Sequence, residues 1–244
     1  AREIQQAAVP RALPTIQSEQ WTAKFNHCYQ PASDLAGDFL EVVELGDHRV
    51  GFLVCDVMGH GVRAALIVSM LRGLIEKQRA SAGEPGVFLA GLNEGLSHLL
   101  ARTRTEMFAT AFYGVVDLEA GEIRLASAGH PAPILKRHGK VEVMNLKGRL
   151  RGPALGMVPG VPYQESVLSL RGLDGLWGFT DGVFEIRAED GEEFGVPRMC
   201  QVLEGTESGP ELLERIVTTA LTFSGEGVFE DDVCLLGIEF VRGA

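Results

Sequence analysis

Aspartates stand at the edges of apolar runs at four places in the chain, each beside a glycine or a second aspartate. These places are Gly37-Asp38, Asp56 within CDVMGHG, Asp181 within FTDGV, and Asp231-Asp232 before VCLL. Strand ends are where a rigid scaffold presents side chains to a ligand, and a neighbouring glycine lets the main chain approach closely. An aspartate–glycine pair alone is more often a turn, so a functional interpretation needs the four places to act together.

Several carboxylates without histidine or cysteine companions form a set of hard oxygen ligands suited to Mg²⁺ or Mn²⁺. Such a cluster would repel itself without a cation. Two divalent ions about 3.5–4 Å apart can share a water, lower its pKa toward neutrality and clamp the oxygens of an in-line displacement at phosphorus. The aspartates therefore suggest metal-dependent hydrolysis of a phosphate ester without a covalent enzyme intermediate.

The rest of the chain predicts strands and helices that can hold these aspartates. Alternating or β-rich runs predict strands at WTAKFNHCY, FLEVVEL, VGFLVCD, FATAFYGVVD, GEIRLASA, APILKR, KVEVMNL, YQESVLSL, GLWGFTD and DVCLLGIEF, with a hairpin turn at Gly46-Asp47. Helical periodicity predicts helices over 61–78, 85–100, 196–203 and 210–223. Because strands and helices are clustered and do not strictly alternate, we expect an α+β fold of antiparallel sheets covered by helices.

Length and composition limit the alternatives. A chain of 244 residues with 45% hydrophobic and 23% charged residues can bury one substantial core, so we expect one catalytic domain. No run approaches the ~20 apolar residues of a membrane span, and the first residues lack a secretory pattern, which predicts a cytoplasmic protein without a membrane partner. The net charge of −11, with no basic cluster longer than Lys136-Arg137-His138, argues against nucleic acid as a partner.

The cysteines offer no alternative metal site. Cys28, Cys55, Cys200 and Cys234 show no CxxC spacing, and Cys55 and Cys234 lie inside apolar runs. A small hydrophobic side chain packs well in such runs, so we expect buried reduced thiols and neither disulfides nor zinc ligands.

In their order along the chain, these motifs resemble the metal-dependent protein phosphatase (PPM) family, and within it the bacterial SpoIIE/RsbU-like branch. The resemblance covers nearly the whole chain and is carried by REIQQ…LP at the start, AGDF at 36–39, DVMGHG at 56–61, MFATAF at 107–112, SAGHPAP at 127–133, LG at 155–156, FTDGVFE at 179–185, FG at 194–195 and EDDVCLL near the end. It implies a PPM-type α/β/β/α sandwich, with two mainly antiparallel sheets flanked by helices, that uses two Mn²⁺ or Mg²⁺ ions. Ala36, Met58 and Cys234 depart from the commonest pattern, and Met58 stands where serine is common.

Carried over residue by residue, the resemblance assigns metal and catalytic roles. Asp56 would bridge both ions, and the Val57 main-chain carbonyl would bind one of them. Asp181 and Asp231 would complete the shell of the second ion, while Asp38 would be a ligand at the first site or act there through water.

Asp232 is a further candidate ligand, at a position that is often asparagine in relatives. The resemblance also implies that neighbouring glycines shape the loops that bring the ligands together. These are Gly37, Gly59, Gly61 and Gly182.

Two histidines have alternative roles. His60 could protonate the leaving serine oxygen, because a histidine of near-neutral pKa beside the metal site suits general acid catalysis, or it could be a loop residue that only hydrogen-bonds nearby. His130 could stabilise a turn or contact the substrate. The helix from Gly61 follows the metal loop directly, so it is a candidate switch element as well as a helix that covers the core.

The resemblance implies hydrolysis of phosphoserine or phosphothreonine on a partner protein. In relatives of this branch the substrate is commonly an anti-anti-sigma-type regulator in a partner-switching pathway of the bacterial stress response. Two alternatives stay open: a PPM-fold binding module with weak or no turnover, and a phosphoesterase for a small metabolite. The full set of carboxylates argues against the first, whereas the second uses the same chemistry.

Residues 1–20 resemble the connector that joins sensor domains to this phosphatase module in relatives, which places the phosphatase domain at 21–244. The segment REIQQAAVPRALP is predicted to be a short helix or a linker, because Pro10 limits a continuous helix. The resemblance thus implies an upstream sensor domain in a longer protein and a homodimer formed through this segment. A packed N-terminal helix is the alternative.

Overall fold

The structure is a computed structural model that describes residues 12–33, 35–102, 106–146, 148–205, 209, 211–225 and 227–243. Its strands are β1 (Thr15–Gln17), β2 (Trp21–Gln30), β3 (Phe39–Glu44), β4 (Arg49–Val57), β5 (Ala109–Asp117), β6 (Glu122–Ala128), β7 (Ile134–Arg137), β8 (Lys140–Val143), β9 (Arg151–Gly152), β10 (Ser166–Ser169), β11 (Leu173–Phe179) and β12 (Val233–Arg242). Its helices are α1 (Val62–Lys77), α2 (Pro85–Leu100), α3 (Gly182–Glu185), α4 (Gly195–Glu204) and α5 (Glu211–Ser224).

Every strand and helix predicted above is present, with boundaries shifted by a few residues. Pro210, the predicted first residue of the last helix, and Ala1–Arg11 lie outside the described residues. β1, β9 and α3 were not predicted, because runs of two to four residues carry too little periodicity. The hairpin at Gly46 is confirmed, since the main-chain N–H of Leu45 donates to the Arg49 carbonyl at 3.1 Å.

The strands form two sheets. One sheet has the order β1-β2-β12-β11-β7-β8, and the other has the order β10-β6-β5-β4-β3 with β9 attached to β6. Neighbouring strands run antiparallel except for the β6–β9 pair. The edge strand β1 falls within residues 1–20 and pairs with β2, and the boundary predicted between connector and domain stays a prediction.

Three apolar layers hold the sandwich together. The central layer lies between the sheets and includes Phe52, Phe112 and Leu236. An outer layer joins the β4–β5 sheet to α1 and α2, and a second outer layer joins the β11–β12 sheet to the helices that follow β11. The order helix, sheet, sheet, helix is the α/β/β/α arrangement expected from the sequence.

Helix α1 buries one side and leaves an apolar stripe on the other. Ile67 and Leu71 are buried, whereas the neighbouring apolar side chains of Leu66 and Met70 are exposed. Periodicity therefore located the helix but did not separate its buried half from its exposed half. In the described part of the chain, no helix is both long enough and apolar enough to cross a membrane. All four cysteines are free thiols, as expected; Cys55 and Cys234 are buried, whereas Cys28 and Cys200 are only half-buried.

A substitution at Phe52 tests how much the packing of the central layer contributes to stability. The Phe52 ring is fully buried and contacts Phe25 and Phe112, with ring centroids 6.3 and 6.2 Å away. Because Phe52→Ala would leave a cavity between the sheets, we expect the free energy of unfolding to fall by about 3–5 kcal/mol in urea denaturation. Val241→Ala, at a 51% exposed site, should change it by less than about 0.5 kcal/mol. Equal effects of the two substitutions would contradict this description of the core.

Candidate metal centre

Two of the predicted aspartates come from neighbouring strands of one sheet. Asp56 is the penultimate residue of β4, and Asp38 immediately precedes β3. Phe39, the first residue of β3, pairs with Cys55, so Asp38 lies beside Asp56. Val54 belongs to the central layer, and the strand alternation therefore points Asp56 into the space between the sheets.

The other three predicted aspartates come from the second sheet. Asp181 follows β11 after one residue, and Asp231 and Asp232 immediately precede β12. Since Phe179 pairs with Leu235 across these two strands, the end of β11 meets the start of β12. The aspartates of the two sheets thus share one end of the sandwich, where they affect one another's ionisation.

Asp38 and Asp232 are the most enclosed of the five, at 4% and 2% exposed. Burial, reinforced by the charge of Asp56, raises the pKa of Asp38 well above the usual range. A hydrogen bond with the Thr180 hydroxyl acts in the opposite direction. The Oδ2 atom of Asp38 is buried without a hydrogen-bond partner among the described residues, which is unusual for a carboxylate oxygen.

The charge of Asp231 acts on both Asp56 and Asp181. Burial raises the pKa of Asp56 to about 7, with further contributions from the charges of Asp181 and Asp231, while a hydrogen bond with Asp38 lowers it. Burial also raises the pKa of Asp181 to about 6, followed by the charges of Glu185 and Asp231. The carboxylates therefore behave as one mutually repelling cluster. Glu185, on α3, is a member that the sequence analysis missed.

Asp232 ties the two sheets together at this end. Its Oδ1 accepts a hydrogen bond from the Ala32 main-chain N–H at 2.8 Å, and its Oδ2 accepts one from the Gly37 N–H at 2.7 Å. Burial raises the pKa of Asp232, and these two N–H groups lower it. Asp232 thus fixes the loop that carries Asp38. Its predicted role as a metal ligand stays a prediction.

The loop after β4 carries the remaining predicted residues. Val57 donates its main-chain N–H to the Gly37 carbonyl at 3.3 Å, which holds the two loops together. His60 lies on the same loop, is exposed, and stands four residues after Asp56. The proposed roles of the Val57 carbonyl and the His60 ring remain predictions.

The donor atoms suit a hard divalent cation. They are carboxylate oxygens, and the buried Oδ2 of Asp38 lacks the partner that a cation would supply. Within the described ranges, no three histidine, cysteine, aspartate or glutamate side chains already stand close enough to enclose an ion. Like charges repel, so a cation that offsets these charges would draw the carboxylates closer together.

Comparison with known proteins identifies the family. The family model described as stage II sporulation protein E (SpoIIE) matches residues 46–241. The chain belongs to the SpoIIE family. The predicted resemblance to the SpoIIE/RsbU-like branch of the PPM phosphatases is therefore confirmed.

Two curated relatives align with nearly all of this SpoIIE-family chain. Protein IcfG of Synechocystis sp. is 31% identical over 268 residues, which cover 97% of this chain and 40% of IcfG. The phosphoserine phosphatase RsbP of Bacillus subtilis is 27% identical over 245 residues, which cover 98% of this chain and 56% of RsbP. The chain thus spans about half the length of these relatives.

Solved structures confirm the fold. The SiaA-PP2C domain of Pseudomonas aeruginosa matches with a TM-score of 0.76 and 25% identity, over 89% of this chain and 86% of that domain. RsbX, solved in complex with magnesium, shares the fold at a TM-score of 0.63 and 15% identity, over 93% of this chain and 99% of RsbX. The α/β/β/α sandwich is therefore that of the PP2C-type phosphatases.

A polar layer beneath the aspartates of this SpoIIE-family domain was not predicted. Thr180, which bonds to Asp38, accepts a hydrogen bond from the Cys234 main-chain N–H at 2.9 Å. His130 Nδ1 lies 2.8 Å from Oγ1 of Thr110, the residue directly opposite Asp56 in the β4–β5 register. Since His130 is 1% exposed, the turn-stabilising role agrees with the structure and substrate contact does not. Thr110 and His130 lie in recognised motifs, MFATAF and SAGHPAP, but no local signal connects them.

Close approach explains two of the predicted glycines. A Cβ on Gly37 would lie 2.8 Å from the carbonyl oxygens of Val57 and Gly59, and a Cβ on Gly182 would collide with the Asp232 carbonyl oxygen. Either clash would separate loops that carry the aspartates. The SpoIIE-family motifs GD and DG thus serve as places where two loops touch.

Gly182→Ala tests that contact. The added methyl group would push the Asp181 turn away from Asp231 and Asp232, so we expect Mn²⁺ affinity, measured by calorimetry, to fall by roughly tenfold or more. Gly73→Ala is the matched control, because a Cβ there meets nothing within 4 Å on an exposed part of α1. The control should bind Mn²⁺ normally and be more stable by about 0.5–1 kcal/mol. Unchanged Mn²⁺ affinity in Gly182→Ala would show that the close contact between Gly182 and the Asp232 carbonyl oxygen is not needed for metal binding.

We expect the buried His130 ring to make the free energy of unfolding depend on pH. Burial, aided by the positive charge of Arg151, lowers its pKa from 6.5 to about 3, against an opposing effect of the Phe179 main chain. Between these values the unfolded chain binds a proton that the folded chain does not. The His130 contribution is therefore fully present above pH 6.5 and is lost as the pH falls toward 3.

Urea unfolding of wild type and His130→Asn measures this effect. Between pH 7.5 and pH 5, we expect wild type to lose about 2 kcal/mol more of its unfolding free energy than the variant loses. Comparing the two proteins cancels the opposite contribution of the aspartates, whose raised pKa values favour the folded state as the pH falls. Parallel pH profiles would show that His130 titrates normally in the folded protein.

Proposed function

We propose that this chain is a protein serine/threonine phosphatase that depends on Mn²⁺ or Mg²⁺ and hydrolyses phosphoserine or phosphothreonine on a partner protein. The observation that carries the proposal is that aspartates from both sheets raise one another's pKa at one end of the sandwich, where the buried Oδ2 of Asp38 has no hydrogen-bond partner among the described residues. Two relatives support it, since RsbP and RsbU are named phosphoserine phosphatases and align with 98% and 66% of this chain.

The aspartates would have different metal-binding roles according to their positions. In this proposal Asp56, between the sheets, would serve both ions, and Asp38 would contribute the Oδ2 atom that has no hydrogen-bond partner among the described residues. Asp181 and Asp231, from the second sheet, face Asp56 across the same space. When bound, two divalent cations would offset these charges and acidify a water for in-line attack on phosphorus. RsbX, solved with magnesium, has the same fold and is consistent with this metal class.

Other residues of the chain position these groups or move protons. Asp232 and Thr180 fix Asp38 through hydrogen bonds, and Asp232 is in addition a candidate ligand. The Val57 carbonyl would bind one ion at the base of the loop. In this proposal His60, which is exposed on that loop, would donate a proton to the leaving serine oxygen as the ester bond breaks.

The partner is proposed from the relatives. An anti-anti-sigma-type protein of a partner-switching pathway in the cytoplasm is the substrate that the family resemblance favours. Because the matched part is about half of IcfG and RsbP, an upstream sensor domain and dimerisation through residues 1–20 belong to the same proposal. The alternatives are a PPM-fold binding module and a phosphoesterase for small metabolites.

Phosphate release tests the activity and separates the alternatives. With Mn²⁺ present, we expect release from a phosphorylated anti-anti-sigma domain at a higher kcat/KM than from p-nitrophenyl phosphate. Chelation should abolish release, and Asp56→Asn should lower kcat at least about 100-fold, because it removes the charge shared by both ions. Turnover of the small ester alone would favour a metabolite phosphatase, and no turnover of either would favour a binding module.

Thermal unfolding gives a second readout that does not depend on turnover. Without metal, Asp56→Asn should be at least as stable as wild type, because the substitution removes one of the repelling charges. Added Mn²⁺ should raise the Tm of wild type and raise that of Asp56→Asn much less. An equal rise in both proteins would place the ions elsewhere.

A further inference from the structure

An apolar cleft of about 500 Å³ opens beside the metal loop. Three methionines contribute to its walls, together with side chains from the end of α2 and from the segment just before β5. The principal lining residues are Met58, Leu100, Met107, Phe108, Met157 and Pro159. Met58 and Met157 are 47% and 58% exposed, which is unusual for adjacent large apolar side chains. The cleft therefore presents apolar surface that the fold itself does not cover.

The main chain around the cleft is firmly held. Asn93, fully buried on α2, accepts a hydrogen bond from the Gly156 N–H at 2.8 Å and donates one to the Val158 carbonyl at 2.8 Å. Leu155 and Ala109 exchange two main-chain hydrogen bonds of 2.8 and 3.0 Å. The loop that carries Met157 is thus anchored on both sides, and its exposed methionine is a fixed feature of the surface.

Met58 connects the cleft to the aspartates. Its main-chain N–H donates to the Phe108 carbonyl at 3.1 Å, and it follows Asp56 by two residues. Two residues of chain span at most about 7 Å, so the Cα atom of Met58, which lines the cleft, lies within that distance of the Cα atom of Asp56. An extended peptide advances about 3.3 Å per residue, which brings a side chain two or three residues from a phosphoserine to the cleft.

We propose that this cleft binds an apolar side chain of the phosphoprotein, two or three residues from the phosphorylated residue, and so contributes to substrate selection. The inference rests on the proposed phosphatase function. Because Met58 lines the cleft and lies two residues after Asp56, a protein bound with its phosphoserine at the aspartates would have neighbouring residues close to this cleft. Methionine side chains adapt to aliphatic groups of different shape. Glu106 at the rim disfavours an acidic residue in the same place.

Short phosphoserine peptides test the proposal with Mn²⁺ present. One series carries a single leucine at each position within three residues of the phosphoserine in an otherwise alanine- and lysine-containing peptide, and matched peptides carry alanine or aspartate there. We expect leucine at one position to raise kcat/KM about tenfold over alanine, because its side chain leaves water, and we expect aspartate to lower it.

Met157→Ser provides the decisive comparison. The readout is the ratio of kcat/KM for the leucine and alanine peptides within each enzyme, so reduced folding or slower chemistry cancels. The ratio should fall to about one to three in Met157→Ser and stay about tenfold in Val241→Ser, a 51% exposed site at the far end of β12. Asn93→Ala, which frees the loop, should also lower the ratio.

The outcomes separate this inference from the function on which it rests. Equal turnover of leucine, alanine and aspartate peptides, or an unchanged ratio in Met157→Ser, would overturn the cleft proposal and leave the phosphatase intact. Failure to release phosphate from every peptide and from p-nitrophenyl phosphate would overturn both.

Discussion

Repulsion among buried carboxylates is the constraint around which this domain is organised. Asp38 and Asp56 are held side by side in a place that burial already makes unfavourable for charge, and Asp181 and Asp231 face them from the other sheet. Left free, these groups would move apart or take up protons. The rest of the site must therefore be stiff enough to hold them near one another until a cation offsets their charge.

The fold supplies that stiffness through contacts that cross between the sheets. Asp232, at the start of β12, accepts main-chain hydrogen bonds from the loop before β3, and Thr180, at the end of β11, reaches Asp38. Beneath them, Phe52 and its aromatic neighbours fill the central layer. Each sheet thus holds the other's aspartates, so the two halves of the site cannot separate without breaking hydrogen bonds and exposing apolar surface.

The sequence predicted the main strands and helices and named the candidate site aspartates, but it did not predict the hydrogen bonds that hold this end of the fold. Alternation and helical periodicity are local signals, which is why strands such as β4 and β12 and the helix α1 were located. The bond from Gly37 to Asp232 joins residues 195 positions apart, and no local pattern reveals such a partner. The same holds for His130 and Thr110, whose contact depends on how β5 and the turn after β6 are placed. The exposed Leu66 and the buried Ile67 are neighbours in the same apolar pattern, because periodicity locates a helix without showing which side faces the core.

The proposed metal loop needs a rigid main chain, whereas the proposed substrate cleft needs adaptable side chains, and the same elements of the fold support both. The aspartates need fixed positions, because a displacement of about 1 Å is enough to weaken a catalytic arrangement. A surface that receives a protein substrate instead needs side chains that can adjust. Anchoring the main chain at Asn93 and Ala109 while exposing Met58 and Met157 satisfies both needs, since the backbone stays fixed and only the flexible thioether chains move. Met58 follows Val57 directly, so the main-chain hydrogen bonds of Val57 and Met58 hold both the loop with the aspartates and the edge of the cleft.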